Sequence, residues 1–343
     1  MPEQINKILI IKPSALGDVV QTMPAVCCLK KNFPDSKIHW FIRPEFAPLV
    51  ENHGCVDDIV IFDRKKLGKW WCNLDAFREF VRLIKKLRSE KYDLVFDLQG
   101  RFRSAIFAWL SGCKIRIGMS GTQELTGFFY TKRVKQSSLH VVDHLLDIVS
   151  SICANKENVE FGLKPDLQAS SEIKKTLSEN GININNYAVF VPGASLEEKR
   201  WSTENFAALA DKIHEKYKCG IVAAGVNSES PIVENIKQIT KVPLLNLAGK
   251  TTILQLAALF AGAKMVVSND TGPGHIASAL GMPIVIIYGY TNPLRLHPYA
   301  RPWTIAALDI ENRGSVVDSK IAKYNIQNIS VESVFELISK QMN

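Results

Sequence analysis

The chain has 343 residues, of which 46% are apolar and 22% are charged, and its formal net charge is +8. This composition excludes disordered and collagen-like proteins, and the length suffices for two domains of ordinary size. No apolar run reaches the roughly 18 residues of a membrane-spanning helix, and the apolar stretch near the N-terminus is too short for a signal peptide. We therefore expect a cytoplasmic protein.

The distribution of charge indicates the kind of partner, and the spacing of the cysteines indicates the state of the thiols. Residues 1–170 carry 25 Lys and Arg against 19 Asp and Glu, whereas residues 171–343 carry 17 against 15. The more basic first half indicates an anionic partner, but no nucleic-acid-binding motif accompanies the charge, so we expect no nucleic acid. The seven cysteines form no CxxC pair, which favours reduced, packed thiols over disulfides or a zinc site.

Strand-like apolar runs alternate with helical segments along the chain. They lie at 7–11, 37–42, 57–62, 92–98, 187–191, 219–224, 264–268 and 283–288. Such alternation is typical of parallel sheets with helices on both faces. The polar stretch 162–175, which contains Pro165, is typical of a linker. The sequence therefore predicts two Rossmann-like, doubly wound α/β domains that face a cleft.

Two helices are predicted from the spacing of their apolar residues. Within residues 75–90 a set of apolar side chains shares one face, which we expect to be core: Phe77, Phe80, Val81, Ile84 and Leu87. Residues 330–341 repeat this spacing and predict a terminal amphipathic helix. The stretch that contains His140 and His144 has the same pattern, which favours a helix there over a metal site.

The first strand runs into the loop KPSALGD and then into a helix. A nucleotide-binding domain usually begins in this way, but a phosphate-binding loop needs several glycines and this one has only Gly17. Asp18 stands beside that glycine. A carboxylate is unsuited to holding a phosphate, so the loop has another task, the alternative being that Asp18 caps the helix.

The segment SNDTGPGHIASAL, residues 268–280, has the same strand–loop–helix order. Unpaired N–H groups at the start of its helix would form an anion site at the carboxyl edge of the sheet. Gly272 and Gly274 would let a diphosphate approach the backbone, and His275 lies one turn into the helix. The alternative is a helix that Asp270 or Thr271 merely caps.

A second loop of this half, residues 192–201, leaves the strand 187–191. Lys199 stands just before Trp201, and a helix is expected to start near Thr203. A lysine beside a strand end can pair with a phosphate as a point charge. The alternative is a solvated surface lysine.

Seven segments together resemble the lipopolysaccharide heptosyltransferases of glycosyltransferase family 9. In chain order they are KPSALGDVVQTMPAV, DLQGRFRSA, RIGM, ELTGFFYT, HVVDHLLDIV, PGASLEEKRWSTENFAAL and SNDTGPGHIASALGMPIVIIYG. The first half is most similar to the type I enzyme. The resemblance implies a glycosyltransferase-B fold, with an acceptor-binding domain over 1–165 and a nucleotide-sugar-binding domain over 176–328. The terminal helix, 329–343, is expected to pack back on the first domain.

The resemblance also implies roles for individual residues. Asp18 takes the place of the catalytic base. The donor would be bound by Ser195, Lys199, Glu229, Asp270, Thr271, Gly272 and His275, with Glu234 as a rival to Glu229 for the ribose. The acceptor would be bound by Ser14, Gly17, Arg64, Gln99, Arg101, Arg103 and Arg116.

The implied reaction is the inverting transfer of heptose from ADP-heptose to a Kdo-lipid A type acceptor in the inner core of lipopolysaccharide. ADP-heptose is a substrate, and no cofactor or metal ion is expected. The basic, indole-bearing segment 63–71 would contact the anionic glycolipid or the cytoplasmic face of the inner membrane, unless it is a solvated helix flank. Two alternatives are a sugar-nucleotide epimerase of similar fold and a sugar-nucleotide-binding protein without activity.

Overall fold

The computed structural model describes residues 4–68, 70–121, 125–153, 159–315 and 318–342. The chain divides into two compact units, residues 1–163 and 164–343. Among the described residues there is no helix with the length and hydropathy needed to span a bilayer.

Within the described residues, the first unit contains a parallel sheet of six strands. These are β1 (Lys7–Ile11), β2 (Lys37–Ile42), β3 (Asp58–Ile61), β4 (Leu94–Asp97), β5 (Arg116–Met119) and β6 (Lys132–Val134). Their order is β3-β2-β1-β4-β5-β6. The chain thus turns to the other side of β1 when it reaches β4. Ligands of doubly wound sheets bind at such a switch point, outside the carboxyl ends of the strands.

Helices cover both faces of this sheet. They are α1 (Leu16–Asn32), α2 (Ala47–Glu51), α3 (Arg64–Leu67), α4 (Leu74–Ser89), α5 (Phe102–Leu110) and α6 (Val141–Ser150). Ile8 to Ile11 of β1 are fully buried, as expected for a central strand whose two faces are both covered. The core that includes Leu9 and Phe41 also includes Phe107 of α5. The packed sheet holds the loops at its carboxyl edge in fixed positions.

The second unit repeats this architecture in the residues that the structure describes. Its strands are β7 (Tyr187–Val191), β8 (Gly220–Ala223), β9 (Leu244–Asn246), β10 (Met265–Asn269), β11 (Ile284–Ile287) and β12 (Ile305–Ala306), in the order β12-β11-β10-β7-β8-β9. Its helices are α7 (Leu167–Glu179), α8 (Thr203–Tyr217), α9 (Ser230–Ile239), α10 (Ile253–Ala261), α11 (Gly272–Ala279), α12 (Pro293–Leu296) and α13 (Val331–Met342). The switch point lies between β7 and β10. The prediction of two doubly wound α/β domains is confirmed.

The prediction of a linker over 162–175 is wrong, because α7 occupies much of it. The Asp166 carboxylate accepts a hydrogen bond from the Ala169 amide at 2.8 Å and caps the helix. Ala169, Ile173 and Leu177 follow at intervals of four and are buried, and α7 packs against α10. The sequence thus carried a capping residue and an apolar stripe, which its polar composition obscured.

The prediction that the terminal helix packs on the first domain is also wrong. Val331, Val334 and Ile338 of α13 join the core of the second unit. Gln341 donates to the Ile284 carbonyl and accepts from the Ile284 amide, each at 3.1 Å, which fixes the helix beside β11. An apolar stripe predicts that a helix face is buried, but it does not identify the surface that covers it.

The apolar face of α4 is less buried than the sequence predicts. Leu87 is fully buried, but Phe80 and Ile84 are only partly covered, and 45% of Phe77 is exposed. The ring of Trp70 stacks on that of Phe80 at 4.9 Å. The N-terminal half of α4 therefore presents apolar surface to solvent.

Candidate active site

A pocket of about 530 Å³ lies at the switch point of the first sheet. The loops after β1, β2, β3 and β4 line it, because the carboxyl ends of parallel strands share one edge. Among the described residues that line it are four arginines: Arg43, Arg64, Arg101 and Arg103. Asp18, Ser14 and Gln99 share the pocket with them. This lining suits an anionic ligand that carries hydroxyl groups.

Asp18 is the third residue of α1, so the cap position belongs to Ala15. One oxygen of the Asp18 carboxylate accepts a hydrogen bond from the Ala15 amide at 3.1 Å. The side chain is half-buried and lines the pocket. The same carboxylate thus closes the first turn of α1 and offers a proton acceptor to a ligand in the pocket.

The loop after β4 is held by Asp97, which the sequence analysis did not identify as important. Its buried carboxylate accepts hydrogen bonds from the Gln99 amide at 3.0 Å, the Gly100 amide at 3.1 Å and the Tyr130 hydroxyl at 2.7 Å. Burial raises the pKa of Asp97 above its ordinary value. Gly100 has a φ of +67°, in the left-handed region that favours glycine. This turn fixes the backbone that presents Gln99 and Arg101.

Lys12 joins the loop after β1 to the loop after β4. Its buried ammonium donates to the Leu98 carbonyl at 2.9 Å. The sequence analysis did not single it out, although a lysine directly after a buried strand is unusual enough to have been noticed. This hydrogen bond therefore connects the loop after β1, which precedes Asp18, to the loop after β4.

The structure brings six of the predicted acceptor and catalytic residues around this pocket: Ser14, Asp18, Arg64, Gln99, Arg101 and Arg103. Gly17 lies beside them in α1 without lining the pocket. Lys69 of the basic segment and Glu124 of the ELTGFFYT segment lie outside the described residues. Arg116 is placed elsewhere. It is the first residue of β5 and so lies at the amino end of that strand, whereas the pocket lies at the carboxyl ends of the strands. Its guanidinium donates to the Phe129 carbonyl at 2.6 Å.

The second unit brings its two predicted loops together at the β7/β10 switch point. The ammonium of Lys199 lies 2.9 Å from the carboxylate of Asp270. The Asp270 side chain is 6% exposed and the Lys199 side chain 26%. Asn269 is fully buried, donates to the Pro192 carbonyl at 2.7 Å and accepts from the Trp201 amide at 3.2 Å. These contacts hold the loops after β7 and β10 together. The Lys199 ammonium is the partly exposed cation of this group.

The remaining donor residues lie around the start of α11 and the loop after β7. Thr271 occupies the cap position of α11, Gly272 is its first residue, and His275 is buried one turn in. Ser195 is exposed in the loop. A Cβ at Gly274 would lie 3.0 Å from the Ser268 hydroxyl oxygen and 3.2 Å from the Ile286 side chain. This glycine therefore also lets α11 pack closely on β10 and β11.

The structure distinguishes the two glutamates proposed for the ribose. Glu229 accepts from the Val226 amide at 2.9 Å, and its carboxyl group lies over Gly193, where a Cβ would lie 2.0 Å from the carboxyl carbon. Glu234 is exposed and accepts from the Asn246 amide group at 2.6 Å. Of the two glutamates, only Glu229 adjoins the loop that leads to Lys199, and its carboxyl group packs directly on Gly193.

Arg313 shapes the segment after β11, and the sequence analysis did not find it. Its buried guanidinium donates to the carbonyls of Gly289 at 2.6 Å and Thr291 at 2.9 Å. The ring of Tyr324 lies 4.2 Å from the centre of the guanidinium, in cation–π contact. This packing fixes the backbone of residues 289–291, near the start of α12.

Two doubly wound units, each with a parallel sheet and polar loops at its switch point, have the architecture of GT-B type glycosyltransferases. The sequence profile described as glycosyltransferase family 9 (heptosyltransferase) matches residues 80–324. The chain therefore belongs to glycosyltransferase family 9, the heptosyltransferase family.

Individual relatives agree with this assignment. The chain is 26% identical to lipopolysaccharide heptosyltransferase 3 of Escherichia coli over 293 residues, which cover 84% of each protein. It is 26% identical to lipopolysaccharide heptosyltransferase 1 of E. coli over 326 residues, covering 89% of this chain and 95% of the relative. A solved structure of the E. coli heptosyltransferase WaaC with ADP superposes with a TM-score of 0.79 at 21% identity, over 98% of this chain and 99% of that one.

Proposed function

We propose that this protein transfers heptose from ADP-heptose to the inner core of lipopolysaccharide, on an acceptor of the Kdo-lipid A type, with inversion at the anomeric carbon. The observation that carries the proposal is the Asp18 carboxylate in an arginine-lined pocket at the switch point of the first sheet. The family assignment and the heptosyltransferase names of the relatives support the class of sugar and acceptor.

In the proposed reaction, Asp18 accepts the proton of the acceptor hydroxyl as its oxygen attacks the anomeric carbon of heptose. The bond between that carbon and the diphosphate oxygen breaks, and ADP leaves. Lys199 and the N–H groups at the start of α11 would stabilise the negative charge that develops on the leaving diphosphate. One displacement of this kind inverts the anomeric configuration.

The donor would lie at the β7/β10 switch point. The WaaC structure contains ADP, which supports an adenosine diphosphate carrier for the sugar. Asp270 holds the Lys199 ammonium in place at 2.9 Å, and we propose that this ammonium contacts the diphosphate while Glu229 binds the ribose hydroxyls. Ser195, Thr271, Gly272 and His275 belong to the loop after β7 and to the start of α11, and we propose that they complete the donor site.

The acceptor would lie in the pocket of the first unit. Guanidinium groups bind carboxylates and phosphates in bidentate fashion, so the four arginines suit the acid sugars of an inner core. Ser14 and Gln99 could bind sugar hydroxyls there.

We also propose that the first unit contacts the lipid part of the acceptor at the inner membrane. A second pocket of about 310 Å³ shares Phe62, Arg64, Arg103 and Phe107 with the acceptor pocket and is otherwise mainly apolar and aromatic. Beside it lies an exposed basic and aromatic surface formed by Arg64, Lys65, Lys66, Trp70, Trp71, Leu74 and Phe77. Indole rings with neighbouring cations suit the headgroup region of an anionic membrane.

The proposal is tested by incubating the protein with ADP-heptose and lipid A cores that carry or lack the inner acid sugars, and by measuring product masses. We expect one heptose to be added to the acceptor that carries the acid sugars, with release of ADP. Conversion of the sugar nucleotide without transfer would instead indicate an epimerase.

Divalent ions should not be required for transfer, because the charge on the leaving diphosphate has protein partners in Lys199 and the start of α11. We expect full turnover in EDTA when the assay is compared with one in Mg²⁺. Loss of activity in EDTA that Mg²⁺ or Mn²⁺ restores would contradict this expectation.

Neutralising the basic residues of α3 should weaken acceptor binding alone. In the variant Arg64→Gln/Lys65→Gln/Lys66→Gln we expect the acceptor KM to rise about tenfold and its salt dependence to weaken, because three exposed cations each contribute modestly. The donor Kd should not change.

The matched control is Lys174→Gln/Lys175→Gln/Lys237→Gln, which removes the same charge from exposed helix positions of the second unit. Identical acceptor kinetics in the two triple variants would show that the α3 residues form an ordinary solvated surface.

A further inference from the structure

Three side chains of the first unit that the proposed reaction does not use form a compact cluster. The sulfur atoms of Cys27 and Cys55 and a ring nitrogen of His53 lie within 4.8 Å of one another. Cys27 and His53 are buried, and Cys55 is partly exposed. Cys27 is nine residues beyond Asp18 in α1, which corresponds to about 14 Å along the helix, so the cluster is separate from the acceptor pocket.

The cluster joins two parts of the unit. Cys27 belongs to α1, whereas His53 and Cys55 lie in the turn between α2 and β3. The Val56 amide donates to the His53 carbonyl at 2.9 Å, which closes that turn. The two thiols approach each other closely, because their sulfur atoms lie within 4.8 Å.

The orientation of His53 is the one found in metal sites. Its Nε2 lies 2.7 Å from the Phe161 carbonyl oxygen, and since a carbonyl can only accept, Nε2 carries the proton. The Nδ1 lone pair therefore faces Cys55, whose backbone amide donates a long hydrogen bond to it at 3.3 Å. A zinc ion bound at Nδ1 would replace this hydrogen bond. Ligand histidines usually donate their other N–H to a carbonyl or carboxylate in this manner.

Gly162, near the C-terminal end of the first unit, packs against the His53 ring and the Cys27 sulfur. Its φ is +62°, and a Cβ there would lie 2.9 Å from the His53 Nε2 and 3.1 Å from the Cys27 sulfur. Only glycine allows the backbone to pass this closely. Two residues earlier, Glu160 pairs with Lys31 at 2.9 Å and lies near enough to act electrostatically on both thiols.

We propose that Cys27, His53 and Cys55 bind one Zn²⁺ ion that fastens α1 to the turn before β3. Bonds of about 2.3 Å to sulfur and 2.0–2.1 Å to nitrogen place tetrahedral ligand atoms about 3.3–3.8 Å apart, within the 4.8 Å span of the cluster. Water takes the fourth position. Binding releases the thiol protons, because thiolates are the ligands.

The test uses the full chain, reduced and freed of metal by dialysis against a chelator. Zn²⁺ alone is then added, unbound ion is removed by desalting, and bound zinc is measured by elemental mass spectrometry. We expect about one zinc per chain, slower alkylation of the partly exposed Cys55 thiol and a higher thermal midpoint. Co²⁺ in place of Zn²⁺ should give thiolate-to-metal charge-transfer absorption.

The variants Cys55→Ser and His53→Gln should each weaken zinc binding by about 100-fold or more, since even supporting residues of metal sites cost 10–100-fold. Cys113→Ser, which removes another buried thiol of this unit, is the matched control and should bind zinc as the wild type does. Circular dichroism establishes that each variant is folded.

Three results would overturn the proposal. They are wild-type protein that retains well under half an equivalent of zinc, equal zinc loss in Cys113→Ser, and a Cys27–Cys55 disulfide in protein isolated without reductant. The first is measured on the wild type, so it holds even where a variant fails to fold.

Discussion

Asp18→Asn should lower kcat by about 10²–10⁴-fold and leave the affinity for ADP-heptose close to that of the wild type, since a positioned base typically contributes this much. Asparagine has nearly the same size, and its amide oxygen can still accept the hydrogen bond that the Ala15 amide donates to Asp18 at 3.1 Å. The start of α1 should therefore be preserved. The amide cannot take up the proton of the acceptor hydroxyl, so only the chemical step loses its partner.

The experiment measures kcat, donor Kd and the thermal midpoint of the same preparation. Asp75→Asn is the matched control, because Asp75 is also a carboxylate in the first turn of a helix of this unit. We expect the control to keep full turnover. If Asp18→Asn were stable and turned over at a near-normal rate, the carboxylate would have only a capping role, and another base would have to be sought among the residues of the pocket.

Lys199→Ala should reduce donor affinity, turnover or both by about tenfold or more. The substitution removes a charge-assisted contact to the diphosphate, which is worth about 1.5–3 kcal/mol. It also removes the partner of Asp270, whose side chain is only 6% exposed. Losing one member of a fully buried pair costs about 3–5 kcal/mol, and the partial exposure of Lys199 should make the cost here smaller.

A double variant separates these two effects of Lys199. In Lys199→Ala/Asp270→Asn no uncompensated carboxylate remains, so we expect the thermal midpoint to recover while the donor Kd stays weakened. Lys175→Ala, which removes an exposed lysine of α7, is the control for loss of charge. Recovery of donor binding together with stability would mean that Lys199 only neutralises Asp270. An unchanged donor Kd in the single variant would exclude the lysine from the donor site.

The comparison of the two glutamates shows how far local sequence can go. The family resemblance implied a ribose-binding glutamate after the strand β8, and both Glu229 and Glu234 were candidates for it. The distinction depends on which carboxylate lies beside the loop after β7, more than 30 residues earlier in the chain. Arg116 also shows this limit of local sequence. Its motif did not indicate that Arg116 begins β5, and for that reason it lies at the amino ends of the strands, away from the pocket at their carboxyl ends.

By itself, the sequence determined the alternation of strands and helices, the two doubly wound units and the loops that carry Asp18, Lys199 and Asp270. These features follow from the period of apolar residues and from residues at strand ends, which are local properties of the chain. Only the tertiary structure decided that α13 packs on the second unit, that Asp97 supports the loop after β4 and that Cys27, His53 and Cys55 meet. Those contacts join residues remote in sequence, and their energies depend on burial and on hydrogen-bond partners that exist only after the strands have taken their order in the sheet.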